Sequence, residues 1–161
     1  VRTLHQRHSH LQYVLAGPII EADEGSRILA MLHDLPWASY AGALSHEEIC
    51  AVLPTVQVVL NSSLSEGGMS NAVLEAMSKG IPVLASDIEG NRTVIADGYD
   101  GFLYRSDADF IEKMERLILD PALRSTVGRR AMQKIATAFP VEGEIRSHLH
   151  LYQALAVTRG A

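Results

Sequence analysis

Apolar residues along this chain fall into short runs separated by longer polar or amphipathic stretches. The run Leu11 to Ala16 closes on Gly17-Pro18 and reads as a buried strand with its exit loop. A second run, Trp37 to Tyr40, ends at Gly42; a third covers 56–60 and a last one 101–104. The run 82–85 opens on Pro82, at a strand start, where a missing N–H matters least. The intervening stretches read as helices. Residues 2–10 form the end of one and 24–34 another. Ser45-His46-Glu47-Glu48 is a capping box, opening a helix that runs to about Leu53 and stops at Pro54. A helix from about Ser70 to Lys79 stops at Gly80. The segment 87–90 reads as a turn and 91–96 as a short helix ended by Asp97-Gly98. Helices follow over 107–119, 121–137 and 141–157, the first capped by Ser106.

Short strands alternating with helices predict an α/β fold, a Rossmann-like parallel sheet with helices on both faces. With 161 residues, and no repeat, low-complexity segment or linker, a single domain is expected. Ligands of such sheets bind beyond the carboxyl ends of the strands. That directs attention to the loops 17–22, 42–45, 61–69 and 86–91.

Composition narrows the function classes. A net charge of −5 argues against a nucleic-acid partner, which calls for a basic face. No apolar run approaches the ~18 residues of a membrane span, and no signal peptide is visible. Cys50 is alone, so no disulfide forms within the chain, which fits a reducing, cytoplasmic compartment. The chain begins with Val1, not Met, inside what reads as a helix, so a piece of a longer protein is expected.

The richest stretch is 64–86. A strand ends, a glycine turn follows, a helix opens, and a second apolar strand comes after it. Glu66 and Glu75 bracket the turn and the first helical turns. Backbone N–H groups at such a turn attract phosphate, and a carboxylate accepts from paired sugar hydroxyls. Asn71 and Glu75 lie four apart on one helix face, while Val73 and Met77 share another that packs on the sheet. Gly67 and Gly68 permit close backbone approach to a ligand. The plain alternative is an ordinary loop–helix junction, with Ser70 as cap and Glu75 exposed.

Other candidates carry less. His5, His8 and His10 have spacings that suit a metal, but without a nearby carboxylate or cysteine they read as a solvated helix end. His148 and His150 face different ways on their helix. His46 reads as a surface residue. Asn61-Ser62-Ser63 matches a glycosylation sequon but sits at a strand end, as a structural loop. Trp37 and Tyr40 read as core packing. Leu149, Tyr152 and Leu155 recur every three residues on the closing helix, and homodimerisation is one way to cover them.

The stretch resembles the signature of the group-1 (family-4) glycosyltransferases, retaining enzymes of the GT-B fold. The matching residues are Asn61-Ser62-Ser63, Ser65-Glu66-Gly67, Leu74-Glu75-Ala76-Met77, 80–83, Ala85-Ser86-Asp87, Asp97-Gly98 and Gly101-Phe102-Leu103. Fainter likeness covers 15–18, 40–42 and Leu119-Asp120. Ser65-Glu66-Gly67, Met69-Ser70-Asn71 and 88–91 are most similar to the glycosyltransferase 1 domain-containing subgroup. The resemblance implies that residues 1–161 are the C-terminal, nucleotide-sugar-binding domain of an enzyme that transfers a sugar from a nucleotide diphosphate to an acceptor hydroxyl. It implies that Glu75 accepts from ribose hydroxyls. Glu66 would contact the donor sugar near the reacting carbon, acting by positioning and electrostatics and not as a nucleophile. Backbone N–H groups of Gly68, Met69, Ser70 and Asn71, beside Gly67, would hold the diphosphate. Backbone near Ala43 and Leu44 would meet the base, and Gly17 would line the cleft. No metal or other cofactor is expected.

The interval Gly67–Leu74 is one residue longer than is usual in the family, and Thr93 stands where the family often has a glutamate. The resemblance further implies that a first strand, a basic diphosphate clamp and an acceptor-binding N-terminal domain precede Val1 in the intact protein, so that the isolated chain is inactive. Two alternatives stand beside this reading. One is a nucleotide-binding or assembly module without turnover of its own. The other is a different GT-B enzyme, such as a nucleotide-sugar epimerase.

Overall fold

The computed structural model describes residues 1–65, 68–139, 149 and 152. Helix α1 (Arg2–Arg7) leads into β1 (Tyr13–Ala16), and α2 (Ala22–His33) crosses over to β2 (Ala38–Gly42). Helix α3 (His46–Val52) and a 3-10 turn at Leu53–Thr55 precede β3 (Val59–Asn61). Helix α4 (Asn71–Ser78) returns the chain to β4 (Val83–Ser86), and α5 (Glu89–Arg92) leads to β5 (Phe102–Tyr104). Helices α6 (Asp107–Leu119) and α7 (Pro121–Ala138) follow.

All strand pairs are parallel, as the βαβ pattern predicts. They form two sheets, β1-β2 and β3-β4-β5, where a single sheet was expected. Among the described residues β1, β2, β3 and β5 each therefore keep one unpaired edge.

The larger sheet is sandwiched. Along β4, Val83 and Ala85 join one core cluster and Leu84 the other, and Leu103 and Phe102 of β5 divide likewise. This is the period-2 alternation of a strand buried on both faces. Val73, Ala76 and Met77 of α4 and Ala131 of α7 cover the first face. Leu4 of α1, Met114 and Leu117 of α6, and Val127 of α7 cover the second. Val73 and Met77 are fully buried, each contributing about 1.5–3 kcal/mol, while Asn71 is exposed and Glu75 half-buried. The two faces foreseen for this helix are thus both present.

Several boundaries differ from expectation. Helix α5 starts at Glu89, inside the segment read as a turn, and ends at Arg92. Its frame is set by Asp87, whose carboxylate accepts from Arg92 Nε at 2.5 Å and from Arg105 Nε of the segment after β5. That second partner is distant in sequence and leaves no local signal. The helix read over 141–157 lies outside the described residues except Leu149 and Tyr152, which are helical and exposed.

The hydrogen bonds from Arg92, then Arg105, hold the Asp87 carboxyl down to about 2 from the ordinary 3.8. Its contribution to stability is therefore present above about pH 3.8 and is lost as pH falls toward about 2. Asp87→Asn is expected to lower the urea unfolding midpoint at pH 6, with the gap from the parent protein closing below pH 3.8. A gap that stays constant down to pH 2.5 would contradict this role.

Candidate functional site

The carboxyl ends of β1 and β2 are tied together. Gly17 N–H donates to the Gly42 carbonyl at 2.9 Å, and the Tyr40 hydroxyl donates to the Gly17 carbonyl at 2.7 Å. Gly17 has φ +146°, which a side chain rarely tolerates, so glycine is required for this exit. Gly17 also lines a cavity of ≈ 420 Å³ with Leu15, Tyr40, Glu24 and Ile28. That cavity includes no residue of α4. Ala43 is exposed and Leu44 half-buried in the loop that follows β2.

Helix α3 begins where the sequence placed it. Ser45 Oγ accepts from Glu48 N–H at 3.3 Å, and Glu48 Oε2 accepts from Ser45 N–H at 2.7 Å. The Ser45 N–H holds the exposed Glu48 carboxyl below its ordinary range. The box fixes His46 at the first helical position. There His46 Nδ1 lies 3.2 Å from Glu75 Oε1, linking the loop after β2 to α4. His46 is exposed, as expected, but it is not an idle surface residue.

Helix α4 opens on Ser70, which is buried and makes no side-chain cap to its own helix. Ser70 Oγ instead accepts from Asn61 Nδ2 at 3.1 Å. With no acidic residue in the first turn either, the first N–H groups of α4, which have no intrahelical partner in any helix, receive no cap from the Ser70 side chain. Gly68, Met69 and Asn71 are exposed just before and at this helix start. Such an end concentrates partial positive charge. Glu66 and Gly67 lie outside the described residues, so their predicted places beside it stay expectations.

A buried polar chain that sequence reasoning missed sets this geometry. Asn91 of α5 is fully buried, and its Nδ2 donates to Asn61 Oδ1 at 3.1 Å and to the Ser86 carbonyl at 2.9 Å. Ser86 Oγ donates to the Ser63 carbonyl at 2.5 Å. Among the described residues Asn91 Oδ1 is buried without a hydrogen-bond partner. The ends of β3 and β4 and the starts of α4 and α5 are thereby locked together. Asn61 is buried, so the sequon is structural, as its position at a strand end suggested.

His148 and His150 lie outside the described residues; His5 and His8 have partners away from α4. His5 stacks on Trp37 with ring centroids 4.3 Å apart, and His8 Nε2 meets Glu115 at 3.2 Å. Asp97 accepts from Leu103 N–H at 2.9 Å and pairs with Lys113 at 3.1 Å. At the start of α6, Asp109 accepts from Arg105 N–H at 3.0 Å and pairs with Lys113. Among the described residues no three His, Cys, Asp or Glu side chains are placed to share a metal ion. No helix among them is long and apolar enough to cross a membrane.

A profile described as "Glycosyl transferases group 1" matches residues 1–120. The chain belongs to the group 1 glycosyltransferases. It is 28 % identical to glycosyltransferase 1 domain-containing protein 1 of Xenopus tropicalis over 81 % of its own length and 38 % of that protein's. It is 32 % identical to the UDP-Gal:alpha-D-GlcNAc-diphosphoundecaprenol alpha-1,3-galactosyltransferase of Escherichia coli, over 70 % of this chain and 29 % of that one. The chain thus spans well under half the length of these relatives. Its fold is that of the C-terminal domains of GT-B glycosyltransferases. The C-terminal domain of the group 1 protein LpcC from Francisella tularensis superposes with TM-score 0.72 at 19 % identity, over 84 % of this chain and 73 % of that one. Anabaena HepE, solved with UDP-glucose, superposes with TM-score 0.81 at 17 % identity, over 95 % of this chain and 44 % of that one.

Proposed function

We propose that this group 1 glycosyltransferase chain is the donor domain, binding a nucleotide diphosphate sugar whose glycosyl group the intact enzyme transfers, with retention, to an acceptor hydroxyl. The observation that carries the reading is the start of α4. Among the described residues its first turn has neither a Ser70 side-chain cap nor an acidic side chain, and Asn71 and Glu75 stand one turn apart on its less buried face, at the carboxyl end of a parallel strand. Family membership supports the reading, as do structural neighbours solved with UDP and with UDP-glucose.

In this reading Glu75 accepts from the ribose hydroxyls, and the N–H groups of Gly68, Met69, Ser70 and Asn71 receive the diphosphate. Backbone at Ala43 and Leu44 meets the base, Gly17 borders the cleft, and Glu66 positions the sugar. Departure of the diphosphate leaves negative charge. Preorganised N–H donors and the α4 dipole stabilise that charge as it develops, each such donor being worth about 3 kcal/mol. The acceptor side belongs to a separate N-terminal domain.

Calorimetric titration with UDP, GDP and ADP in EDTA tests the proposal. Saturable binding of one of them is expected. Binding of none would reject a donor site in this chain.

A further inference from the structure

The imidazole of His46 has both ring nitrogens engaged. Its Nδ1 faces Glu75 Oε1 at 3.2 Å, and its Nε2 lies 3.7 Å from Cys50 Sγ, one turn further along α3. The ring is therefore flanked by polar partners on two sides, on a helix whose first turn is locked by the Ser45–Glu48 box. Glu75 has three rotatable side-chain bonds and is only half-buried. His46 is its side-chain partner, and it occupies Oε1 while leaving Oε2 able to accept.

We propose that His46 is a positioning residue, with Cys50 behind it, that holds the Glu75 carboxylate ready for the ribose hydroxyls and so sets discrimination between ribose and deoxyribose donors. This rests on the reading of Glu75 given above. A group held in place before the ligand arrives loses less freedom on binding. A single exposed pair is a modest lever, so the effect is about two- to fivefold.

The test measures dissociation constants for UDP and for its 2′,3′-dideoxy analogue in the parent protein, His46→Ala, His46→Asn and Glu75→Gln. His46→Ala is expected to weaken UDP about two- to fivefold while leaving the dideoxy analogue unchanged. His46→Asn, which keeps an N–H near the Nδ1 position, is expected to restore most of the preference. A merely structural role would weaken both ligands alike. If Glu75→Gln erases the preference and His46→Ala leaves it intact, the inference about His46 falls while the ribose role of Glu75 stands. If the parent protein shows no preference for UDP over the dideoxy analogue, the ribose reading of Glu75 fails, and the role of His46 with it.

Discussion

Glu75→Gln is expected to weaken UDP binding about 10- to 100-fold while leaving the unfolding transition nearly unchanged. The substitution keeps size and one carbonyl acceptor but removes the charge. Hydrogen bonds to a charged group are worth about 1.5–3 kcal/mol, roughly twice neutral ones, and two ribose hydroxyls would lose that advantage together. The fold has little stake in this carboxylate. Its side chain is half-buried and its ionic partner, His46, is exposed, so the pair contributes less than about 1 kcal/mol. Calorimetry beside urea denaturation separates the two effects. Equal affinity in parent and variant would remove Glu75 from the site.

Gly128→Ala is expected to destabilise the domain by about 3 kcal/mol or more, read as a drop in the urea midpoint. A Cβ on Gly128 would overlap the Gly80 carbonyl oxygen and stand 2.8 Å from its carbonyl carbon. The obstruction is backbone, which no rotamer change relieves. Gly80 itself has φ +71°, the left-handed conformation that ends α4 and turns the chain into β4. Helix α7 has no room to withdraw. Val127 and Ala131, on either side of Gly128, are fully buried in the two opposite core clusters. Because α4 carries the candidate site at its other end, UDP binding should fall with stability in this variant. A midpoint shift corresponding to less than about 1 kcal/mol would show that α7 slides freely on the turn.

These two positions mark what was legible in the sequence. The two faces of α4 followed from helical periodicity, because Asn71, Glu75, Val73 and Met77 obey a 3.6-residue repeat whatever surrounds them. The Ser45–Glu48 box and the Ser106 cap are local chemistry, and both form as read. The βαβ alternation placed the strand ends, and hence the loops that follow them. What stayed hidden depends on partners remote in sequence. Asn91 read as the start of a short helix with no sign of burial, yet it is fully buried, and its amide meets Asn61, thirty residues earlier. His46 looked like a surface residue because Glu75 comes to it from another helix. Glycine inside α7 costs about 1 kcal/mol relative to alanine, which hints at a close approach but does not name Gly80. The start of α5 waited on Arg105 to anchor Asp87.

The central claim is that a nucleotide diphosphate binds across the start of α4. The most direct measurement follows the backbone amide resonances of the chain during titration with UDP in EDTA. The account predicts that the largest saturating shifts fall on Gly68, Met69, Ser70 and Asn71, with smaller ones at Ala43, Leu44 and Gly17. Shifts gathered instead on the ≈ 570 Å³ groove between α6 and α7, at Glu112, Arg116 and Leu119, or no shifts at all, would contradict it.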